Sequence, residues 1–495
     1  MLTFAVLLGY AVAVTDKMDT VGTDPATPPA RVEVYRMRVN FMEHALIDDY
    51  TPTFSWSLRA IHGPRGVVAV SHRIVVSAAA AAPAPAAIWS ETNVVADTGF
   101  VVGSATNAPL HLSSVLKCNT LYAWGVQVKV MVPSGAAAAA AATTVVGAQS
   151  TFRTGLFAPG CWKNASWIGG RTGNLLRQTF AVPPTAAAAS GEPTRTPGSD
   201  VSMLYVACPG YCKVTLNGVP VTNAVLGHQT LYERTVLYDA YSVGHLLHPG
   251  AQNAIGVEIG NGWYGSFEAS CKAAAPTPLD CAAAKQGHGN PHVCLPYCWQ
   301  AGQSQGQLGE RSVMVALISG SAAGALAVSD LTWQQHTGPV VADDIYFGET
   351  QDARLALPGW DTVDFDASSW IRANRAADPG GALVAASSPP IRFRNTTSTP
   401  VPTTIPLSPR AIRRLSTGTY VLDFGYNSAA MIRVELGAAA AAAGAASVLN
   451  ITITTHEQVH PGTGAGNGPY VGRKSSLATK NPSVTSRCGS PLAFC

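Results

Sequence analysis

The sequence predicts an all-β protein built from tandem β-sandwiches. Many short segments are rich in β-branched or aromatic residues, and Gly, Pro, Asn or Ser bound them, as is typical of strands between tight turns. Long segments do not hold the 3.6-residue apolar period of an amphipathic helix. Short strands separated by Gly- and Pro-rich turns favour sandwiches over a helical fold.

The individual strands are predicted from composition and alternation. They cover 72–77, 121–132, 201–207, 212–218, 253–259, 311–318, 419–425, 431–436 and 448–455. In NAIGVEI, Ile255, Val257 and Ile259 alternate with small or polar residues, so a period of two places the branched side chains on one face. Alanine runs at 78–82, 136–142, 186–189 and 438–443 flank strands, and we interpret them as expanded loops despite their helix propensity.

Length, charge and the first residues narrow the class of protein. A chain of 495 residues is too long for one hydrophobic core, which predicts several domains. The net charge of +3 is too small for a nucleic-acid-binding surface. The N-terminal MLTFAVLLGYAVAV is too short to span a bilayer, and its Ala11-Val12-Ala13 resembles a cleavage site. We therefore expect a signal peptide at 1–14 and a secreted protein without a membrane span. The alternative is a buried N-terminus or a wrongly assigned start of the gene.

The ten cysteines also indicate a secreted protein. An even number in a secreted chain predicts disulfides, although the sequence leaves the pairing open. An alternative uses two C-x3-C pairs, Cys208/Cys212 and Cys294/Cys298, as a four-cysteine zinc site. Three Asn-x-Ser/Thr triplets predict glycosylation at Asn164, Asn395 and Asn450.

Several motifs occur in a fixed order, and this order carries a family resemblance. TPTFSWSL (51–58) and LYAWGVQV (121–128) resemble the fibronectin III-like sandwich at the N-terminus of bacterial-type α-L-rhamnosidases. NAIGVEIGNGWYG (253–265) and PGWDTVDFDASSW (358–370) resemble the jelly-roll domain of that family, and TYVLDFGYNSAAMIRVEL (419–436) resembles the concanavalin-like sandwich that follows. The resemblance implies a fibronectin-like domain at 31–156, a jelly roll at 160–377 and a partial concanavalin-like sandwich at 386–461. The composition predicts a linker at 378–390, and the lack of a strand pattern predicts an irregular tail at 462–495.

The resemblance implies an α-L-rhamnosidase, which hydrolyses terminal α-L-rhamnose with inversion and has rhamnose-containing glycans as partners. In this family the chemistry belongs to a helical barrel with an acidic pair, which follows the sandwiches. Inversion requires two carboxyl groups about 6.5–9.5 Å apart. No segment here resembles the barrel, so we assign no catalytic residue. A stand-alone secreted carbohydrate-binding protein and a truncated gene model without activity remain alternatives.

The stretch GNGWYG (260–265) is the candidate carbohydrate site. Its Gly-Asn-Gly can reverse the chain after a strand, which places Trp263 and Tyr264 at the rim of a sheet. Sugars pack their C–H faces on aromatic rings, and amides or carboxylates bind their hydroxyls. The predicted set is Asn261, Trp263, Tyr264, Tyr232 and Glu233. The alternative is structural: Trp263 fills the end of a sandwich core.

An acidic cluster is the candidate calcium site. Asp343, Asp344 and Glu349 lie close together in ADDIYFGETQDAR, and carboxylate oxygens are the ligands that Ca²⁺ prefers. The alternative is a turn with ion pairs, such as Asp352 with Arg354. We expect no other cofactor.

Overall fold

The computed structural model confirms the all-β class. It describes residues 31–43, 45–62, 67–78, 93–132, 142–169, 173–184, 202–224, 227–265, 309–319, 324–344, 348–387, 408–416, 419–425, 449–454 and 474–479. Apart from short 3₁₀ turns, the regular structure of these residues is β-strand, and none of their helices is long and apolar enough to cross a membrane. Each predicted strand that falls within these ranges is confirmed, whereas 431–436 falls outside them.

The chain divides into two compact units between Cys161 and Trp162. The first unit contains β1 (Arg31–Val39), β2 (Leu46–Ile47), β3 (Thr53–His62), β4 (Val68–Ala78), β5 (Val94–Asp97), β6 (Val101–Val102), β7 (Asn107–Pro109), β8 (Leu121–Val132) and β9 (Ala142–Thr154). One sheet has the order β1-β3-β7 and the other β2-β9-β8-β4-β5, with β6 on β4. Phe54 and Trp124, whose ring centroids are 4.8 Å apart, lie at the centre of the core.

A disulfide joins Cys118 to Cys161 in the first unit. It confirms the expectation of disulfides and supplies one pairing that the sequence left open. Cys208 and Cys212 are free thiols. The zinc alternative is not tested, because Cys294 and Cys298 lie outside the described residues.

The second unit contains the larger sandwich. Its strands are β10 (Ile168–Gly169), β11 (Leu175–Ala181), β12 (Met203–Ala207), β13 (Tyr211–Leu216), β14 (Val219–Pro220), β15 (Thr235–Ser242), β16 (Gln252–Gly260), β17 (Ser312–Ile318), β18 (Ala325–Val328), β19 (Gln334–His336), β20 (Val340–Asp344), β21 (Gly348–Asp352), β22 (Ile371–Arg372), β23 (Asn374–Arg375), β24 (Ala382–Ala385), β25 (Ala411–Ser416), β26 (Thr419–Asp423), β27 (Leu449–Thr454) and β28 (Lys474–Thr479).

Two sheets of this unit enclose its core. The seven-stranded sheet has the order β23-β10-β17-β12-β15-β24 with β18 on β17, and the six-stranded sheet has the order β14-β13-β16-β11-β19-β22. The core between them includes Leu176, Val257, Val315 and the fully buried Trp333, whose indole Nε1 donates to the Val328 carbonyl at 2.8 Å. Smaller sheets, β20-β21-β28-β27 and β25-β26, complete the described strands.

The structure corrects two predictions of irregular chain. Within the predicted linker, β24 extends the seven-stranded sheet by pairing in parallel with β15, from Thr235 opposite Ala382 to Tyr238 opposite Ala385. Within the predicted tail, β28 pairs with β21 on one side and β27 on the other. Both strands are held by backbone ladders that do not require an alternating apolar pattern.

Candidate functional site

The GNGWYG stretch forms the turn after β16. Gly262 has a φ of +51°, a left-handed conformation that favours glycine, and the amide of Gly265 closes the turn by donating to the Asn261 carbonyl at 2.7 Å. The turn is also packed from outside, since a Cβ at Gly210 would lie 2.2 Å from the Gly260 carbonyl oxygen. The sequence therefore predicted the turn correctly.

The two tyrosines of the predicted carbohydrate set pack against each other. The ring centroids of Tyr232 and Tyr264 are 5.2 Å apart in an edge-to-face arrangement, and each residue is 3% exposed. Burial raises the pKa of both phenols, so both remain protonated. Neither ring offers an open face to a sugar. Trp263 is half-buried and Glu233 is exposed, so their role in sugar binding stays a prediction.

Asn261 is the structural centre of this turn. Its amide donates to Asp343 Oδ2 at 2.6 Å, and its side-chain Nδ2 donates to the Asp343 carbonyl at 3.0 Å and to Oδ1 at 3.2 Å. The guanidinium of Arg311 lies 3.6 Å from Oδ1, and the Asp343 side chain is only 4% exposed. Burial lowers the pKa of Arg311, and the charge of Asp343 opposes that shift. This carboxylate links the turn to β20.

These contacts bear on the predicted calcium site. Both carboxylate oxygens of Asp343 accept hydrogen bonds, which is the environment of a structural carboxylate. The side chains of Asp344 and Glu349 lie outside the described part, and no cluster of three or more His, Cys, Asp or Glu in that part is placed to hold a metal. Calcium binding stays a prediction. Asp352 does pair with Arg354, as the alternative expected.

The predicted glycosylation sites have different outcomes. Asn164 is exposed in a turn with a φ of +66°, so it is accessible to modification. Asn450 lies in β27, where its side chain is not described, and Asn395 lies outside the described residues, as do the signal segment 1–14 and Cys271, Cys281, Cys294 and Cys298.

The loop 357–370 covers the six-stranded sheet on the face opposite its core. Arg177 of β11 is 3% exposed and donates to the carbonyls of Trp360 at 2.9 Å and Thr362 at 2.8 Å. Trp360 stacks on Trp370 with a centroid distance of 6.0 Å, and Trp370 stacks on His336 at 5.2 Å. The aromatic residues of this loop therefore serve mainly to fasten it to the sheet.

An open groove of about 480 Å³ lies between β14 and the end of β15. Its lining combines apolar and polar groups: Pro220, Val221, Thr222, Asn223, Ala240, Tyr241 and Ser242. Asn223 and Ser242 are exposed, and Thr222 Oγ1 accepts from the amide of Ala224 at 3.1 Å. A concave surface with both kinds of group is suited to a small polar ligand that also carries an apolar part.

Tyr241 connects this groove to a smaller cavity beneath it. That cavity, of about 50 Å³, is lined by residues that include Cys208, Cys212, His228 and Asp239. Asp239 hydrogen-bonds to the Tyr241 hydroxyl and lies 3.1 Å from His228 Nε2. Burial raises the pKa of Tyr241, and the hydrogen bond to Asp239 raises the pKa of His228.

The sequence analysis missed the groove residues. One signal was present, because Asn217-Gly218 is the dipeptide of a tight hairpin turn, and both residues have positive φ, +51° and +79°. That dipeptide could have predicted β14 beside β13 and placed 219–223 at a sheet edge. Residues 240–242 come close to this edge only through tertiary packing, which cannot be predicted from the local sequence pattern.

Comparison with known proteins assigns the unit that contains the groove. Residues 200–278 and 299–395 match the family model of the α-L-rhamnosidase N-terminal domain. An α-L-rhamnosidase of Formosa agariphila is 24% identical over 409 residues, which cover 79% of this chain and 37% of that protein. One of Streptomyces avermitilis is 28% identical over 264 residues, which cover 52% of this chain and 22% of that protein.

Solved structures show the same fold. The α-L-rhamnosidase from Dictyoglumus thermophilum superposes with a TM-score of 0.64 at 22% identity, covering 91% of this chain and 44% of that one. The S. avermitilis α-L-rhamnosidase complexed with L-rhamnose superposes with a TM-score of 0.59 at 17% identity, covering 93% of this chain and 57% of that one. This chain thus spans less than half the length of the curated relatives named above. Residues 200–278 and 299–395 thus match the N-terminal domain of α-L-rhamnosidases, and the chain is similar to an enzyme of that family over 79% of its length.

Proposed function

We propose that this chain recognises terminal α-L-rhamnose in the groove between β14 and β15, and that its β-units form the substrate-recognition part of an α-L-rhamnosidase. One observation carries the proposal: the groove residues at 220–223 and 240–242 lie within 200–278, which matches the N-terminal domain of the family. The complex of the S. avermitilis enzyme with L-rhamnose supports the choice of sugar.

The chemistry of the groove supports a deoxy sugar. L-Rhamnose presents a methyl group where other hexoses carry a hydroxymethyl group, together with several ring hydroxyls. Pro220 and Val221 offer apolar surface for the methyl group, and Thr222, Asn223 and Ser242 offer hydrogen-bonding groups for the hydroxyls. Because the groove is open, we expect a weak monosaccharide complex with a Kd of about 1 mM, equivalent to about −4 kcal/mol.

Titration of the full chain with L-rhamnose, followed by calorimetry, tests this assignment. L-Mannose is the matched control ligand because it differs only by a hydroxyl in place of hydrogen on the methyl carbon, and we expect it to bind more weakly. Asn223→Ala should weaken rhamnose binding about three- to tenfold, the net contribution of one hydrogen bond. Asn107→Ala, an exposed asparagine of the first unit, is the matched control variant.

The Trp263→Ala variant distinguishes rhamnose binding in this groove from binding at the GNGWYG turn. Unchanged affinity in a folded Trp263→Ala variant agrees with binding in the groove. Loss of affinity in that variant, with Asn223→Ala unchanged, would move the site to the turn. Absence of rhamnose binding at tens of millimolar sugar would contradict the proposal.

We propose that hydrolysis takes place in a catalytic domain that these β-units frame, and we assign no catalytic carboxylate to this chain. Inversion requires a general acid and a general base about 6.5–9.5 Å apart on opposite sides of the bond. Assaying the chain with a chromogenic α-L-rhamnoside checks this division of roles. Binding without turnover is expected, whereas turnover by the chain alone would show that it contains the acid and the base.

We also propose that the protein is extracellular. The Cys118–Cys161 disulfide supports this, since such bonds form and persist in oxidising compartments. Expression with the native N-terminus in a secreting host, followed by N-terminal sequencing of the protein in the medium, tests both export and cleavage near residue 14. Retention inside the cells would contradict the proposal.

A further inference from the structure

Cys208 and Cys212 lie where the chain passes from one sheet of the larger sandwich to the other. Cys208 directly follows β12 of the seven-stranded sheet, and Cys212 lies in β13 of the six-stranded sheet, opposite Ile259 of β16. The residues between them form a tight connection, fixed because Gly210 packs too closely on the Gly260 carbonyl to accept a Cβ. The two thiols are therefore attached to different sheets across a connection that is held in place.

The thiols also share one enclosed space. Both line the cavity of about 50 Å³ that lies beneath the groove, and both pack against the main core. Cys208 hydrogen-bonds to Cys212 and accepts a hydrogen bond from the amide of Gly210, and burial raises the pKa of its thiol. Two half-buried thiols in mutual contact, each anchored by a strand, are arranged for a covalent bond with little movement of the backbone.

We propose that Cys208 and Cys212 form a disulfide that joins the two sheets at this edge. The oxidant is a small-molecule disulfide such as glutathione disulfide. One cysteine thiolate attacks a sulfur of glutathione disulfide, and the first glutathione leaves as a thiolate and takes up a proton. The second cysteine thiolate then attacks the mixed disulfide and releases the second glutathione. Two cysteine thiols are oxidised, and one glutathione disulfide is reduced to two thiols.

The bond would act locally. Cys118 and Cys161 are separated by 43 positions, whereas Cys208 and Cys212 enclose only three residues. Because the loss of unfolded-chain entropy grows with the logarithm of loop length, the shorter loop should raise the melting temperature less. Thr222 and Tyr241 line both the cavity and the groove, so the cross-link would fix the sheet edge directly beneath the groove.

Peptide mapping of the full chain tests the proposal without any variant. Trypsin cleaves after Arg195 and Lys213, which leaves both cysteines, and no other, in one peptide of residues 196–213. After equilibration with glutathione disulfide and labelling with iodoacetamide, we expect this peptide to be lighter by two hydrogen atoms and to lose both labels. The known disulfide is an internal control, because it should link peptide 118–129 to peptide 154–163 in the same digest.

A doubly labelled 196–213 peptide, in a digest where the control peptides are linked, would overturn the proposal. So would a link from this peptide to another cysteine-containing peptide. In the Cys212→Ser variant the second exchange cannot occur, so Cys208 should carry either one iodoacetamide label or one glutathione, and no cross-link. The melting temperature should rise on oxidation in the wild-type chain by more than in the Cys208→Ser/Cys212→Ser variant, and an equal rise in both would refute the cross-link.

Discussion

Removal of the Asp343 carboxylate should strongly destabilise the second unit. Asp343→Ala takes away the two carboxylate acceptors of Asn261 and leaves the Arg311 guanidinium without this counter-charge in a buried position. Loss of one partner of a buried ion pair typically costs about 3–5 kcal/mol. The Arg311 side chain keeps 17% of its exposure and lies 3.6 Å away, so solvent screens it in part. We therefore expect a loss at the lower end, about 3 kcal/mol.

The control is an ion pair of similar length that lies in solvent. Arg38 and Glu43 of the first unit are 3.5 Å apart, and their side chains are 40% and 61% exposed. Glu43→Ala should change the free energy of unfolding by about 0–1 kcal/mol. The contrast between the two variants measures the combined effect of burial and of the Asn261 hydrogen bonds, since the charges and the separation are nearly the same.

Urea unfolding measures the loss of stability in Asp343→Ala, and hydrogen exchange shows whether this loss lies in the second unit. Peptides that contain Asn261 should exchange faster in Asp343→Ala, while peptides of the first unit should not change. Adding Arg311→Met should recover part of the loss, because it removes a buried cation that has lost the Asp343 counter-charge. A loss below about 1 kcal/mol, equal to that of Glu43→Ala, would show that Asp343 does not hold the turn.

Three further predictions follow from buried positions. Gly256→Ala should cost about 1–3 kcal/mol in thermal unfolding, because its Cβ would lie 2.6 Å from the Asp361 Cβ; an unchanged melting temperature would contradict this. His72 is 5% exposed, and burial lowers its pKa. The free energy of unfolding of the first unit should therefore fall as the pH drops below about 6.5, because the unfolded chain takes up the proton more readily than the folded one. His72→Gln should flatten this pH dependence. The hydrogen bond to Asp239 raises the pKa of His228, so protonated His228 should stabilise the second unit below about pH 6.5. This stabilisation should be lost as the pH rises through the folded-state pKa. An NMR-measured pKa of His228 that is the same in the wild-type chain and in Asp239→Asn would refute the prediction.

The all-β fold and its main strands were predictable because their signals are local. β16 has alternating branched residues bounded by turn residues, and the structure confirms that strand. β24 and β28 were missed because pairing with distant strands defines them, and their sequences contain too few apolar residues in alternation to show a buried face. β1, RVEVYRMRV, was missed because it is rich in charged residues and because an irregularity between Tyr35 and Arg38 interrupts the alternation of its apolar positions.

The candidate site was predicted less well than the fold. The sequence predicted the turn at Asn261 but not whether the aromatic side chains near it face solvent or the core. Tyr232 and Tyr264 were both predicted to bind a sugar, and both are buried. Burial of an aromatic residue depends on the strand that arrives opposite it, here through residues far apart in the chain. The groove requires the same kind of information, because its two walls, near 220–223 and 240–242, meet only after the sandwich has formed.

One set of contacts connects the packing at the sandwich end with the groove that we propose as the sugar site. Gly210 packs on the turn at Gly260, and the same residue lines the cavity beneath the groove. In that cavity Asp239 holds the hydroxyl of Tyr241, whose ring forms part of the groove wall. Because its raised pKa keeps Tyr241 protonated, the phenol stays a hydrogen-bond donor to Asp239 over the whole neutral range, and this wall should not depend on pH through its own ionisation. The titrating group is instead His228, which shares Asp239 with Tyr241. Any change of sugar affinity near neutral pH should therefore follow the charge of His228 and move to lower pH in Asp239→Asn, because Asp239 raises the pKa of His228.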